Sequence, residues 1–315
     1  MRKVSWGKGI KAGFHTTWLL GKIIFPVTFI ITVLGYTPVL QKIIDIIAPV
    51  MKLLGLPGEA AVPLVLGNVL NLYAGIGAIL SLDLTIKEVF IIAVMLSFSH
   101  NLFIESGVAM KVGVKLWVVL VVRLGLAFLS AIIINLVWSG GAEKAQYGFT
   151  QLESVQANGF SEIVLVAMEK AAFGVVQLAI LVIPLMVAIQ IMKDLNWMEL
   201  ISQKMGPVTR FLGMSENTSF TLLSGLTFGL AMGAGVMIQA VREDGVSRKD
   251  ATLAIIFLVS CHAVVEDTLI FIPLGIPVLP LLLIRLTVAI LLTLTVSVLW
   301  KRAEMAKRKE TTYEH

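Results

Sequence analysis

The sequence contains little charge for its length. Only 14% of its 315 residues are charged, whereas 57% are hydrophobic and the mean hydropathy is +0.93. Soluble proteins carry about 25% charged residues and roughly 45–50% apolar ones. This shortage of charge excludes an ordinary soluble enzyme and a disordered chain. The composition predicts an all-α, polytopic membrane protein whose main solvent is the lipid bilayer.

Cysteine is almost absent, and a nucleotide-binding motif is missing. Cys261 is the only cysteine, so the chain forms neither an internal disulfide nor a thiolate metal cluster. No Walker A pattern occurs, which predicts that the protein has no nucleotide-driven motor of its own. Because no nucleophile, base and oxyanion-binding set can be assembled, we expect no enzymatic activity. We expect no bound cofactor either, with a coupling proton or cation as the alternative.

Long apolar runs dominate what is present. Six of them are long enough to cross about 30 Å of hydrocarbon, and they lie at 14–36, 88–110, 115–138, 168–191, 251–272 and 280–299. Between them lie two Gly-rich stretches, 59–82 and 217–241, and two amphipathic runs, 38–55 and 194–213. We predict that the amphipathic runs are interfacial helices and that the Gly-rich stretches are re-entrant hairpins.

The chain contains an internal repeat. A shift of 158 residues, which becomes 162 after a short insertion, superimposes matching residues in the two halves. The matched pairs are Pro26 and Pro184, Gly67 and Gly225, Gly75 and Gly233, His100 and His262, Glu105 and Asp267, and Arg123 and Arg285. We therefore predict a first repeat at 1–138, an external linker at 139–167, a second repeat at 168–300 and a basic cytoplasmic tail at 301–315.

The distribution of basic residues predicts the topology. Three crossings per repeat, an odd number, leave the two repeats inverted with respect to each other. With a cytoplasmic N-terminus, 17 of the 25 basic residues fall on the cytoplasmic side, as the positive-inside rule requires. We predict a multi-pass protein of the cell inner membrane with both termini in the cytoplasm. The basic ends are expected to set this topology rather than to bind nucleic acid.

Polar residues at membrane depth are costly and are functional candidates. They form two equivalent sets: Ser97, Ser99, His100, Asn101, Glu105 and Ser106, and then Ser260, Cys261, His262, Glu266, Asp267 and Thr268. His262 and Glu266 are four residues apart, which predicts a shared face on a regular helix. His100 and Glu105 are five apart, so we predict local unwinding around 97–101.

The candidate substrate-binding residues combine these sets with hairpin residues. They are His100, Asn101, Glu105, His262, Glu266, Asp267, Ser99, Cys261, Gly75, Gly77, Gly233, Gly235 and Asn71. The four glycines are expected at hairpin tips, where positive φ and close backbone approach are needed. Arg123 and Arg285 are predicted to form ion pairs with Glu105 and Asp267, which would stabilise the fold. Substrate contact by these arginines is the alternative.

The pattern resembles the Gate, or nucleoside recognition, domain family. The resemblance rests on the order of interfacial helix, Gly-bearing hairpin and broken helix, and on LSFSHNLFIES followed by VVRL. The Gate domain occurs in concentrative nucleoside transporters, in the membrane part of ferrous iron transporter B and in spore-maturation proteins. The resemblance implies transport through a pseudo-symmetric site, with a nucleoside-like solute as one option.

These observations lead to an expected function with alternatives. We expect a secondary transporter (permease) of a small polar solute, working by alternating access at the interface of two inverted repeats. One alternative is a divalent-metal permease, with His100, His262 and Glu266 as metal ligands. Another is a non-transporting membrane scaffold or spore-maturation-like subunit. The expected partners are the bilayer and the solute or ion, without nucleic acid, and a homo-oligomer is an open alternative.

Overall fold

The computed structural model describes residues 4–147, 159–242 and 245–313, and the regular structure in these ranges is helical. The helices are α1 (Trp6–Gly35), α2 (Pro38–Leu53), α3 (Ala61–Val69), α4 (Leu72–Ile79), α5 (Ile86–Ser99), α6 (Leu102–Lys111), α7 (Leu116–Val137), α8 (Phe160–Asp194), α9 (Trp197–Lys204), α10 (Gly206–Phe211), α11 (Ser219–Arg242), α12 (Arg248–Ser260), α13 (Glu266–Leu269) and α14 (Val278–Tyr313). The predicted all-α class is confirmed. The central part of the predicted linker, 148–158, lies outside the described residues.

Five stretches of the described chain are long and apolar enough to cross a membrane. They are Trp6–Gly35, Ile86–Lys111, Leu116–Val137, Phe160–Asp194 and Val278–Ala306. A sixth exists if Asp45–Leu53 and Gly58–Val69, which are bent by 88° at their break, form one span. The predicted stretch 251–272 is not among them, because α12 ends at Ser260 and the chain resumes helix only at Glu266.

Three helices extend well beyond the predicted apolar runs, and the first of them, α1, begins at Trp6 instead of residue 14. α8 begins at Phe160, inside the predicted linker, after an extended Gly159. α14 continues to Tyr313 through most of the predicted tail. That tail is rich in Lys, Arg, Glu and Ala and contains neither Gly nor Pro, so its intrinsic preference is helical. Apolar length therefore predicted the central part of each of these helices but not where the helices end.

The chain forms two compact units, and each unit contains residues from both predicted repeats. Unit 1 comprises Met1–Phe103, Arg123–Asn196 and Val265–Leu282. Unit 2 comprises Ile104–Val122, Trp197–Val264 and Leu283–His315. The repeat boundaries at 1–138 and 168–300 stay a prediction about sequence duplication, since compactness divides the chain differently.

In unit 1, the first helix of each predicted repeat packs against the other in antiparallel directions. A Cβ at Gly9 would lie 2.8 Å from the Val187 Cα, and one at Gly13 would lie 2.8 Å from the Ile183 Cα. The contact moves down one helix as it moves up the other, so α1 and α8 are antiparallel. Small residues allow this close approach of two helix backbones. Inverted repeats require such an arrangement, and the inverted relation of the complete repeats stays a prediction.

In unit 2, the hydrophobic core surrounds α11 and α12. Leu222 and Leu230 of α11 and Leu253 and Leu258 of α12 are fully buried there. Residues of α6, α7 and α14 belong to the same cluster. Burying this apolar surface stabilises the unit and holds α12 in position up to its last turn.

Both Gly-rich stretches are broken helices, and the breaks occupy equivalent positions. The first break is at Asn71, which has extended backbone and accepts a hydrogen bond from the Ala74 amide at 3.0 Å. The second is at Gly229 within α11, with φ of 76° and ψ of 177°. Residues 71 and 229 are related by the 158-residue shift.

The predicted hairpin tips are therefore wrong. Gly75 and Gly77 lie within α4, and Gly233 and Gly235 lie within α11. Gly75 instead serves helix packing, because a Cβ there would lie 3.0 Å from the Pro63 carbonyl oxygen of α3. The prediction assigned the glycines to turns, whereas α3 and α4 need a small residue along their contact.

Candidate functional site

The two polar segments, around His100 and around His262, are interrupted at equivalent positions of the two repeats. α5 ends at Ser99, and Asn101 follows with a positive φ of 54°. α12 ends at Ser260, and Ala263, the repeat equivalent of Asn101, has a positive φ of 41°. A non-glycine residue in this region is strained and often marks a functional site.

These breaks decide two sequence predictions. The predicted unwinding near His100 is confirmed, since His100 terminates α5 and leaves helical geometry. The predicted shared helix face of His262 and Glu266 is wrong, because the chain between them is not helical. Spacing of four residues indicates a common face only when the helix is continuous.

In unit 1, His100 is held in one tautomer and faces a carboxylate. Its Nδ1 lies 2.7 Å from the Leu96 carbonyl oxygen. Because a carbonyl only accepts hydrogen bonds, Nδ1 carries the proton and donates it, which places the ring lone pair on Nε2. Nε2 lies 3.9 Å from Asp267 Oδ2, and both side chains are buried.

In unit 2, His262 repeats this arrangement. Its Nδ1 lies 2.7 Å from the Leu258 carbonyl oxygen, and its Nε2 lies 3.3 Å from Glu105 Oε1. His262 is only 1% exposed. Each pair thus combines a histidine of one predicted repeat with a carboxylate of the other. Such a pair can accept a proton on Nε2 and become an ion pair, or it can bind a cation between the two groups.

Two buried arginines hold the backbone at the breaks. Arg123 donates from Nε to the Phe98 carbonyl at 2.8 Å and from Nη2 to the His100 carbonyl. Arg285 donates from Nη2 to the His262 carbonyl at 2.7 Å. Because a helix end leaves carbonyl groups without intrahelical donors, these guanidinium groups stabilise the break and fix the histidine.

The predicted Glu105–Arg123 and Asp267–Arg285 ion pairs stay predictions. Glu105 and Arg123 belong to different units, and so do Asp267 and Arg285. What is established within each unit is the contact of the arginine with backbone carbonyls.

Each Gly-rich stretch is hydrogen-bonded to the chain just after α5 or α12. In unit 1 the Asn101 amide donates to the Gly67 carbonyl at 2.8 Å. In unit 2 the Ala263 amide donates to the equivalent Gly225 carbonyl at 3.0 Å. A Cβ at Gly67 would lie 2.5 Å from Leu96 Cδ2, so a larger residue there would force the buried Leu96 side chain to shift.

One polar contact has no repeat equivalent. The Tyr73 hydroxyl of α4 donates to Glu266 of α13, both in unit 1. After the repeat shift, Tyr73 corresponds to Ala231 and Glu266 to Ile104. Sequence reasoning missed Tyr73 as a site residue, although its replacement by alanine in the second repeat was a usable signal. Unit 1 is consequently richer in polar groups than unit 2 at equivalent positions.

The remaining candidates occupy simpler positions. The Ser99 hydroxyl donates to the Met95 carbonyl of its own helix at 2.9 Å, and Cys261 is fully buried at the end of α12. Asn71 caps α4. The predicted metal ligands His100, His262 and Glu266 do not belong to one unit, so that triad stays a prediction.

Two further hydroxyls lie next to the carboxylates. Ser106 and Thr268, which are repeat equivalents, are buried, and their oxygens have no hydrogen-bond partner within the described residues. Glu105 and Asp267 directly precede them in the sequence. They extend each polar cluster by one group that a solute could contact.

Several membrane-crossing helices and duplicated, buried polar breaks define a multi-pass membrane protein of the broken-helix type. The chain matches the Gate family, described as nucleoside recognition, over residues 17–115 and 175–282. It belongs to that family. It is also 60% identical over 294 residues to a Bacillus subtilis (strain 168) protein named "Uncharacterized membrane protein YvoD", covering 93% of this chain and 94% of that relative. No solved structure matches the chain.

Proposed function

We propose that the protein is a secondary transporter of a small polar solute, with a site built from both repeats and exposed alternately to the two sides of the membrane. The single observation that carries this proposal is the duplicated His–carboxylate pair, His262 with Glu105 and His100 with Asp267. Ionisable groups buried in membrane segments are expensive to insert. Two such pairs, each beside a helix break, support a transport role better than a purely structural one.

The histidines supply a means of coupling transport to protons. Imidazole is the side chain whose charge normally changes near neutral pH. With Nδ1 donating to a backbone carbonyl in both pairs, protonation takes place at Nε2, directly opposite the carboxylate. Proton binding therefore alters the charge of the pair without moving the imidazole ring. Membership of the Gate family supports testing nucleosides first among the polar solutes.

Uptake by proteoliposomes tests this proposal. Purified protein is reconstituted and offered labelled nucleosides, carboxylates and other small polar solutes, with and without a pH gradient. We expect saturable uptake of at least one solute, which His100→Gln and His262→Gln each abolish. His15→Gln, at an exposed position of α1, is the matched control and is expected to retain uptake. Absence of uptake for every solute and ion would favour a non-transporting scaffold.

Divalent-metal permeation is the second candidate, and the imidazole orientation favours it. Metal-binding histidines commonly donate their other ring nitrogen to a carbonyl or carboxylate, as Nδ1 does here in both pairs. Imidazole and carboxylate together suit Fe²⁺, Zn²⁺ or Mn²⁺. This candidate predicts metal uptake that weakens on acidification, because a protonated imidazole cannot ligate a metal. Metal-independent solute uptake would exclude it.

A further inference from the structure

Three basic side chains from three helices line one pocket of unit 2, away from the histidines. The pocket has a volume of about 400 Å³. Arg210 of α10, Lys249 of α12 and Lys301 of α14 supply the positive charge, and Asp250 is the acidic residue in the lining. The rest of the lining is Gly213, Met214, Ser215 and Ser247. The lining therefore has an excess of positive charge.

The local fold brings these bases together. Gly213 has a positive φ of 84°, and a Cβ there would lie 1.9 Å from Ser297 Oγ of α14. The loop after α10 consequently lies directly against α14. Lys301 follows Ser297 by four residues and occupies the same helix face. This glycine thus lets the loop lie on the face of α14 that carries Lys301.

The acidic group in the lining is already engaged. Asp250 is buried, and the Ser215 hydroxyl donates to its Oδ2 at 2.6 Å. Arg210 contacts Glu216 at 2.5 Å, but both side chains are more than half exposed, and exposed pairs of this kind contribute little. Arg210 therefore remains able to contact a ligand.

The two lysines form no hydrogen bond or ion pair within the described part of the chain. The repeat equivalent of Lys249 behaves differently, since Lys87 donates to the Asn135 carbonyl at 3.0 Å. Lys249 also lies in the first turn of α12, where the helix dipole is positive and a cation is unfavourable. An anion in the pocket would remove this repulsion.

We propose that this pocket binds a phosphate-bearing anion. The three bases can supply charge-assisted hydrogen bonds to phosphate oxygens. The proposal is independent of the transport function, because it uses none of the residues of the His–carboxylate pairs.

The headgroup of an anionic phospholipid is the source that the surroundings favour. Lys301 lies near the end of the apolar stretch Val278–Ala306, where a spanning helix is expected to meet the headgroups. Phe211 and Leu299, next in sequence to Arg210 and two residues from Lys301, are 65% and 56% exposed. These apolar side chains can contact acyl chains while the bases hold the phosphate.

Native mass spectrometry of the full chain in detergent tests the proposal. The protein is titrated with phosphatidylglycerol, phosphatidylcholine and inorganic phosphate in separate arms. We expect phosphatidylglycerol to bind most tightly. Lys249→Gln and Lys301→Gln should each weaken it about fivefold, as one basic residue near an anionic surface contributes. Lys87→Gln, at the repeat equivalent, is the matched control and should bind like the parent.

The outcomes separate the two sources of phosphate. Lysine-dependent binding of inorganic phosphate, with no lysine dependence for the lipid, supports the anion site and assigns it to a soluble ligand. The variant that combines Lys249→Gln with Lys301→Gln gives the decisive comparison. If it binds phosphatidylglycerol and inorganic phosphate as tightly as the parent does, the proposal is overturned. The variant that combines Lys249→Arg with Lys301→Arg keeps both charges and controls for unfolding. It should retain binding. Loss of binding in this variant, if it is folded, also overturns the proposal.

Discussion

The Glu105 carboxylate lies 3.3 Å from His262 Nε2, although the two residues come from different halves of the duplicated sequence. The equivalent Asp267 lies 3.9 Å from His100 Nε2. Each histidine therefore faces the carboxylate of the other repeat. Because each polar cluster contains residues of both repeats, a substitution in either repeat should affect both transport and its coupling.

The first prediction concerns the charge of these pairs. Glu105→Gln and Asp267→Asn keep the side-chain shape and remove the negative charge opposite the imidazole. Because an imidazolium formed by proton uptake would then be buried without its counter-charge, we expect uptake to fall roughly tenfold or more and to lose its dependence on pH. Proteoliposome uptake between pH 5.5 and 8 measures both effects, and an unchanged pH profile in both variants would contradict proton coupling.

The second prediction concerns the arginines. Arg123→Ala or Arg285→Ala removes the donor to the carbonyl groups at the helix break, and each buried carbonyl left without a donor costs about 1–3 kcal/mol. We expect a large fall in thermal stability and expression. If the arginines also pair with Glu105 and Asp267, neutralising both partners should recover part of the loss. Parent-like melting with loss of transport alone would instead place the arginines in contact with solute.

The third prediction tests the close approach of the hairpins. Gly67→Ala and Gly225→Ala place a Cβ 2.5 Å from Leu96 Cδ2 and 2.4 Å from Leu258 Cδ1. Overpacking of this kind costs about 1–3 kcal/mol. Gly107→Ala is the matched control, because a Cβ there meets nothing within 4 Å. Melting temperatures of the three variants are measured in one detergent. Parent-like melting of Gly67→Ala and Gly225→Ala, or a fall no larger than that of Gly107→Ala, would contradict the packing account.

The fourth prediction isolates the contact that lacks a repeat equivalent. Tyr73→Phe removes the hydroxyl that donates to Glu266 and keeps the ring. We expect a changed KM or maximal rate of uptake, with a loss of stability of about 1.5–3 kcal/mol for one hydrogen bond to a carboxylate. Tyr36→Phe, at an exposed position, serves as the control. Identical transport kinetics in Tyr73→Phe and the parent would remove Tyr73 from the transport site.

The fifth prediction concerns orientation. In a Cys261→Ala background, a cysteine at Ala142 should react with a membrane-impermeant reagent added to intact cells. One at Ala303 should react only after permeabilisation. Both positions are exposed, and the Glu143 carbonyl next to Ala142 accepts a hydrogen bond from the Ile86 amide at the start of α5. Protection of Ala142 in intact cells would contradict the inverted topology.

The sequence by itself determined the solvent of this protein and the course of its chain. Apolar length predicted five of the membrane-crossing stretches, because the cost of exposing polar backbone in lipid acts locally on each segment. The internal repeat showed that His100 and His262 are equivalent. The five-residue spacing of His100 and Glu105, which does not fit one helix face, predicted a break in the helix. These features can be read from the sequence, because none of them depends on how distant helices pack.

Only the tertiary structure decided the partners. The spacing of His262 and Glu266 indicated a shared face, yet the break at Cys261 turns His262 towards Glu105. Gly75 looked like a turn residue, yet it lies inside α4, where it allows contact with α3. Side-chain pairing depends on which helix ends meet, and helices far apart in the sequence meet through packing of whole faces. Local composition does not determine which helix ends meet. The pairing of each histidine with the carboxylate of the other repeat therefore appears only once the chain is folded.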